Sequence, residues 1–321
     1  GFRPFGTAKW LLDEDVAGAL GVDFDALPDH VDFASARNEF YEHPTALPTI
    51  YRGSIKLDLG RRDFTINTLA VQFSPAGSAG RILDFYGGLQ DLRRGLIRVL
   101  HSLSFVDDPT RILRAVRFEA RLGFTIEPRT AELIQTATPM LRRITGERIR
   151  NELSLLLREP QPERGLLTLQ ARALLEAIHP AFHVQPDIAA QFQKARAAEQ
   201  PPEIEPLDLA DLYWHIIAAG IPADQLPALT ERLLVPHGMA ESMLAAGRLL
   251  QTGDGLGHPD TRPSQIVARL QGIPEIALHT VSLLTREAPV RERINRYITH
   301  WRHVKPTTDG NALKALNIPP G

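Results

Sequence analysis

The sequence predicts an α+β chain, a small head of short strands and turns over residues 1–100 followed by an all-helical remainder. Two observations carry that prediction. Short β-compatible runs bounded by Pro or Gly fall within the first hundred residues. From about residue 108 strand signals vanish, and apolar positions recur at helical spacing with Asp, Pro or Thr at the starts.

In chain order, Val31-Asp32-Phe33-Ala34-Ser35-Ala36-Arg37 reads as a short strand, weakly by composition, and Arg81-Ile82-Leu83-Asp84-Phe85 as another. A helix is expected to open near Arg62 and to run through Ile66-Asn67-Thr68-Leu69-Ala70. Gly87-Gly88 breaks the chain before a short polar helix, and Leu96-Ile97-Arg98-Val99-Leu100 closes the region as a strand. Helical segments follow at 108–122, 128–137, 145–158 and 163–178. Residues 179–206, rich in Pro, Ala and Gln, read as one helix between linkers. Further helices fill 207–305, broken at Pro222, Pro236, the Gly253–Gly257 loop, Pro274 and Pro289. That loop lacks the strand before it and the helix after it that a dinucleotide fingerprint needs.

With 321 residues, the chain has room for two or three units of ordinary domain size. A 43% hydrophobic share suits a globular protein with sizeable cores, and no eighteen-residue apolar run suggests a membrane span. Cysteine is absent, which excludes disulfides, zinc–thiolate sites and thiol nucleophiles, and a cytoplasmic location is expected. The eleven histidines are scattered without metal-ligand spacing. A net charge of −2 means that any nucleic-acid contact must use local patches. The first residue is Gly1 and the last residues read as an interrupted turn, so the sequence is expected to be a piece of a longer protein.

Two segments carry chemistry. In Arg61-Arg62-Asp63-Phe64-Thr65-Ile66-Asn67, planar guanidinium forks suit a triphosphate and the carboxylate can accept from ribose hydroxyls. Placed at a helix start, they would gain from free backbone N–H groups and the helix dipole. A capped helix with a surface ion pair is the plainer reading. In Asp107-Asp108-Pro109-Thr110-Arg111-Ile112-Leu113-Arg114-Ala115-Val116-Arg117-Phe118, the residues Arg111, Arg114, Arg117 and Arg121 fall within an arc of about 120°. Ile112, Leu113, Val116 and Ala120 form a separate apolar face. Asp108 lies one turn before Arg111. A carboxylate there can accept from the exocyclic amine of cytosine or adenine, while a guanidinium donates to the neighbouring ring nitrogen. Uracil and guanine present a carbonyl oxygen at the amine position, so the pair would select C and A without a template. A solvated arginine face with carboxylate partners such as Asp107 and Glu119 is the alternative. Gly146-Glu147-Arg148-Ile149-Arg150-Asn151-Glu152-Leu153 opens a helix that reads as scaffolding.

In order and spacing these segments resemble the class II tRNA CCA-adding enzyme and poly(A) polymerase family over residues 30–155. Arg61-Arg62-Asp63 resembles its ribose and triphosphate motif, with Asn67 and Arg114 supporting. Asp107-Asp108-Pro109-Thr110-Arg111 is similar to its base-selecting motif, whose first position is more usually Glu, and Arg117 continues that helix. Asp84-Phe85-Tyr86-Gly87-Gly88-Leu89-Gln90-Asp91-Leu92 resembles the head–neck connector, and Glu147–Glu152 the helix bracing the neck. The resemblance implies a partial polymerase-β-like nucleotidyltransferase head (1–100), a helical neck with the base-selecting motif (101–165), and a helical body and tail contacting tRNA (166–321).

It further implies Mg²⁺-dependent transfer of CMP or AMP, from CTP or ATP, to the 3′ end of tRNA. Asp32 resembles the third carboxylate of the family's metal site; the family's Asp-x-Asp pair is expected on a strand preceding Gly1, no equivalent follows here in the right context, and one aspartate cannot hold Mg²⁺ for two-metal transfer. The polypeptide alone is therefore expected to bind nucleotide weakly without catalysing, an expectation that measured CMP or AMP incorporation would defeat. Arg293, Arg296, Arg302 and Lys305, with Tyr297 and Trp301 between them, would meet tRNA phosphates, unless the helix is solvated and its aromatics belong to the core. Rival readings are a poly(A) polymerase acting on mRNA, a non-catalytic RNA-binding protein, and a helical scaffold whose arginine stripe is salt-bridged internally.

Overall fold

The computed structural model describes residues 6–40, 49–198 and 206–304. It divides into two compact units, Gly1–Ile144 and Thr145–Gly321.

The first unit holds the described strands. Strand β1 (Thr7–Leu11) is followed by α1 (Glu14–Leu20), and β2 (His30–Ala34) returns antiparallel to β1. Strands β3 (Arg37–Phe40) and β4 (Thr49–Arg52) form a second antiparallel pair. Helix α2 (Ile55–Gly60) opens on Ser54, whose hydroxyl accepts from the Leu57 N–H. After a 3₁₀ turn (Thr65–Thr68) come β5 (Ala70–Gln72) and β6 (Arg81–Leu83), again antiparallel. Helix α3 (Gly88–Arg94) is capped by Asp84, which accepts from the N–H groups of Gly88 and Leu89 at 2.8 and 3.0 Å. Gly88 is there for want of room: a Cβ would sit 2.4 Å from the Thr65 carbonyl oxygen.

Strand β7 (Leu96–Ile97) leads into α4 (Ser104–Asp107), α5 (Thr110–Leu122), β8 (Thr125–Ile126) and α6 (Pro128–Ala137). β7 and β8 pair in parallel, so strand structure continues past residue 108, contrary to the sequence expectation. The pairing is two residues long and joins distant segments, which leaves no local signature. Phe64, Ile97, Phe105, Ile112, Leu113 and Val116 form the core here, and Phe64 meets Phe118 edge to face at 5.8 Å. By contrast Trp10, Val31 and Phe33 of the first strand pair are exposed.

A second difference concerns Arg61-Arg62-Asp63. These residues follow the end of α2, and no helix runs from Arg62 to Ala70. The Ser54 cap starts the helix eight residues early, and Arg61 is already its C-cap. The N-terminal dipole argument for anion binding at this motif therefore fails.

The second unit is helical among the described residues: α7 (Gly146–Leu157), α8 (Pro162–Ala171), α9 (Leu174–Ile178), α10 (Ile188–Ala197), α11 (Leu209–Ala219), α12 (Leu226–Arg232), α13 (His237–Thr252), α14 (Pro263–Leu270), α15 (Glu275–Leu284) and α16 (Ala288–Thr299). The expected helix 163–178 is two helices, divided at Ala173 with φ of 55°. Arg196 of α10 forks onto Glu163 of α8 at 2.8 and 3.0 Å, and α13 to α16 enclose a core of Leu249, Leu270, Val281 and Ile294. No described helix is long and apolar enough to cross a membrane.

Candidate nucleotide-binding site

One pocket of about 510 Å³ is lined by Arg61, Arg62, Asp63, Asn67, Asp108, Arg111 and Arg114. The two chemical segments read from the sequence meet there. Their joint is an ion pair between Asp63 and Arg114, 2.9 Å apart and fifty-one positions distant in sequence.

Asp63 is the fixed centre of one wall. One of its oxygens accepts from the Asn67 amide at 2.8 Å and from the Phe64 N–H at 2.9 Å, while the other takes Arg114. Burial pushes its carboxyl up, but the hydrogen bonds from Asn67 and Arg114 and the Arg114 charge outweigh this and hold it below the ordinary range. Asp58, buried on α2, accepts from Arg61 Nη2 at 2.9 Å and from the Arg37 N–H at 3.1 Å, with Arg62 Nη2 3.6 Å away. Its carboxyl is likewise pushed up by burial and brought below the ordinary range by the Arg61 and Arg37 bonds. The sequence reading gave Asp58 no role, although its spacing of three and four from the two arginines signals one.

The other wall is the start of α5. Asp108 accepts from the Thr110 hydroxyl at 2.6 Å and the Thr110 N–H at 3.1 Å. Arg111 is 6% exposed, donating from Nη1 to the Ser104 hydroxyl at 2.7 Å and from Nη2 to the Arg61 carbonyl at 2.8 Å. A carboxylate and a buried guanidinium lining one pocket offer it an acceptor and a donor, and the phosphate-suited Arg61 and Arg62 line the same space.

The expected four-arginine stripe does not act as a unit. Arg111 and Arg114 line the pocket; Arg117 does not, and its guanidinium lies 5.0 Å from the Phe118 ring centroid. Arg121 is exposed at the far end of the helix.

Asp32 stands on β2 with its side chain 68% exposed and His30 Nε2 3.4 Å away, outside the pocket lining. Among the described residues no group of three or more His, Asp or Glu could hold a metal ion.

The basic segment near the C-terminus makes contacts within the helical body. Arg293 donates to the carbonyls of Leu256, His258 and Pro259, closing the loop before α14. Arg302 is paired with Glu275 and 19% exposed. Tyr297 is buried, and Trp301 packs against the same helical core. Arg296 is exposed and pairs along its own helix with Glu292. Backbone carbonyls and a carboxylate thus hold two of the expected phosphate-binding cations, and Lys305 lies outside the described residues.

Residues 12–98 match the model of the poly A polymerase head domain, and residues 123–185 that of the probable RNA and SrmB-binding site of polymerase A. The chain is 41% identical to an A-adding tRNA nucleotidyltransferase of Halalkalibacterium halodurans, across 99% of this chain and 70% of that protein. It is 37% identical to another of the same description from Geobacter sulfurreducens, over 91% of this chain but 34% of that longer protein, so the chain spans about a third of that relative's length. Among solved structures, a CCA-adding enzyme in apo form II superposes with a TM-score of 0.74 at 28% identity, covering 91% of this chain and 70% of that one.

Proposed function

Because the chain belongs to the class II family of CCA-adding and A-adding tRNA nucleotidyltransferases, with a polymerase-β-like head and a helical body, we propose that it transfers AMP from ATP to the 3′ end of tRNA. The observation that carries the reading is the single pocket in which the Arg61–Asp63 and Asp108–Arg111 segments meet. ATP is assigned ahead of CTP because the 41% and 37% identical relatives are both A-adding enzymes.

In this reading Arg61, Arg62 and Arg114 take the triphosphate, and Asp63 with Asn67 takes the ribose hydroxyls. Asp108 accepts from the adenine amine and Arg111 donates to the adjacent ring nitrogen. Arg117 acts on this site only through the helix it shares with Arg114. The family uses divalent metal ions; we assign Mg²⁺, which would supply charge neutralisation at the phosphates, and Asp32 as one oxygen ligand. The described residues around Asp32 do not complete that site, so no step is derived through it. Arg296, on an exposed helix face, is assigned to an RNA phosphate.

The test is nucleotide addition by the full-length protein to three RNAs: tRNA ending in CC, tRNA ending before CC, and oligo(A). The expected product is one AMP on the first alone. Addition of CMP to the second would make it a CCA-adding enzyme, and repeated adenylation of oligo(A) a poly(A) polymerase. No addition to any would sink the reading. Asp108→Ala and Arg111→Ala should each lower kcat/KM for ATP by about 10- to 100-fold, matching a base-edge contact of roughly 1–3 kcal/mol.

A further inference from the structure

Ser104 opens α4 behind the pocket and is fully buried. It is bonded to both members of the base-reading pair. Its hydroxyl accepts from Arg111 Nη1 at 2.7 Å, and its carbonyl accepts from the Asp108 N–H at 3.2 Å. On the opposite edge Arg111 Nη2 donates to the Arg61 carbonyl at 2.8 Å. The guanidinium plane is thus pinned at both ends, one pin being backbone and the other a single hydroxyl.

We propose that Ser104 is a positioning residue that sets nucleotide selectivity by fixing the plane of Arg111. This rests on the reading of Asp108 and Arg111 as the base-reading pair. The physical reason lies in what the fork must distinguish. Adenine presents an acceptor nitrogen beside its amine, whereas guanine presents an N–H beside a carbonyl oxygen. A guanidinium held in plane opposite that nitrogen rewards adenine and meets guanine donor to donor, a mismatch buried polar groups penalise heavily. Without the Ser104 hydroxyl, Nη1 has lost an acceptor in a buried site and the fork can rotate about its remaining anchor. The rotated fork no longer opposes guanine squarely, so discrimination falls. Ser104 itself does not line the pocket, so it acts through Arg111.

The experiment measures kcat/KM for ATP and for GTP in full-length protein. Ser104→Ala is expected to reduce the ATP-over-GTP ratio about tenfold, the scale of one hydrogen bond to a charged group, and Ser104→Thr, which keeps the hydroxyl, to restore most of it. In an Arg111→Ala background Ser104→Ala should cost the ratio nothing further, because its effect passes through the missing fork. Should the alanine variant fail to fold, Ser104→Cys, close in size with a weak acceptor, takes its place. Equal losses for ATP and GTP, or an undiminished effect of Ser104→Ala without Arg111, would overturn the proposal. An Arg111→Ala variant with unchanged discrimination would instead overturn the base-reader assignment beneath it.

Discussion

Asp63 is buried and still ionised, and the consequence is a pH dependence with a definite sign. Its folded carboxyl binds a proton less readily than the unfolded one, since Asn67 and Arg114 outweigh the burial that opposes them. The stabilisation is complete above the unfolded Asp value of about 3.9 and is lost as pH falls through the depressed folded value. Asp63→Asn should cost about 1–3 kcal/mol near neutrality and flatten this acid loss, as urea unfolding at pH 3 and pH 7 would measure. Equal acid sensitivity in the variant would refute the assignment. The chemistry of Asp63 and Asp108 could be read from residue type and spacing. That Arg111 sits 6% exposed between Ser104 and Arg61 could not, because one partner is the backbone of a residue fifty positions away.

At the scale of elements, α7 fits its neighbours through Gly146, where a Cβ would lie 2.0 Å from the Arg232 carbonyl oxygen. Backbone cannot yield there cheaply, so Gly146→Ala should destabilise by about 1–3 kcal/mol or more. Gly247, inside α13, meets nothing within 4 Å, and Gly247→Ala should gain up to about 1 kcal/mol from helix propensity. Calorimetry on both variants separates the two cases. Helix α11 adds a titrating group, His215, whose Nδ1–H donates to the Asp211 carbonyl at 2.7 Å while Nε2 faces the Ser242 hydroxyl at 2.9 Å. Burial lowers its pKa, more than the Asp211 carbonyl raises it. With the folded value depressed, stability is fully present above the unfolded value of about 6.5 and declines as pH drops below it. Unfolding free energies at pH 7.5 and 5.5 should show that slope, reduced in His215→Gln. Element types were legible here from helical period and caps. Boundaries failed where a cap was overlooked, as at Ser54, or where two-residue strands paired across the chain, as β7 and β8 do.

For the whole molecule, a net charge of −2 means that the proposed RNA contact must use local patches of exposed cations. Arg296→Ala should reduce the salt slope of tRNA binding by about one, whereas Arg293→Ala, which releases three carbonyls, should lower the melting temperature and leave the slope unchanged. Titration of tRNA binding between low and moderate salt, beside a thermal melt, checks both. A reversed pattern would return Arg293 to the RNA-binding surface. The amino-acid sequence alone determined the order of the motifs, the residue types able to grip phosphate, ribose and base, and the change from mixed to helical structure, because spacing and side-chain chemistry are local properties. Tertiary structure alone decided which arginines of one helical stripe reach the pocket and which cations of the last helices hold a loop or a neighbouring helix. A side chain's partner is set by whatever packs opposite it, and for Arg114 and Arg293 that partner is contributed by residues 51 and 37 positions away.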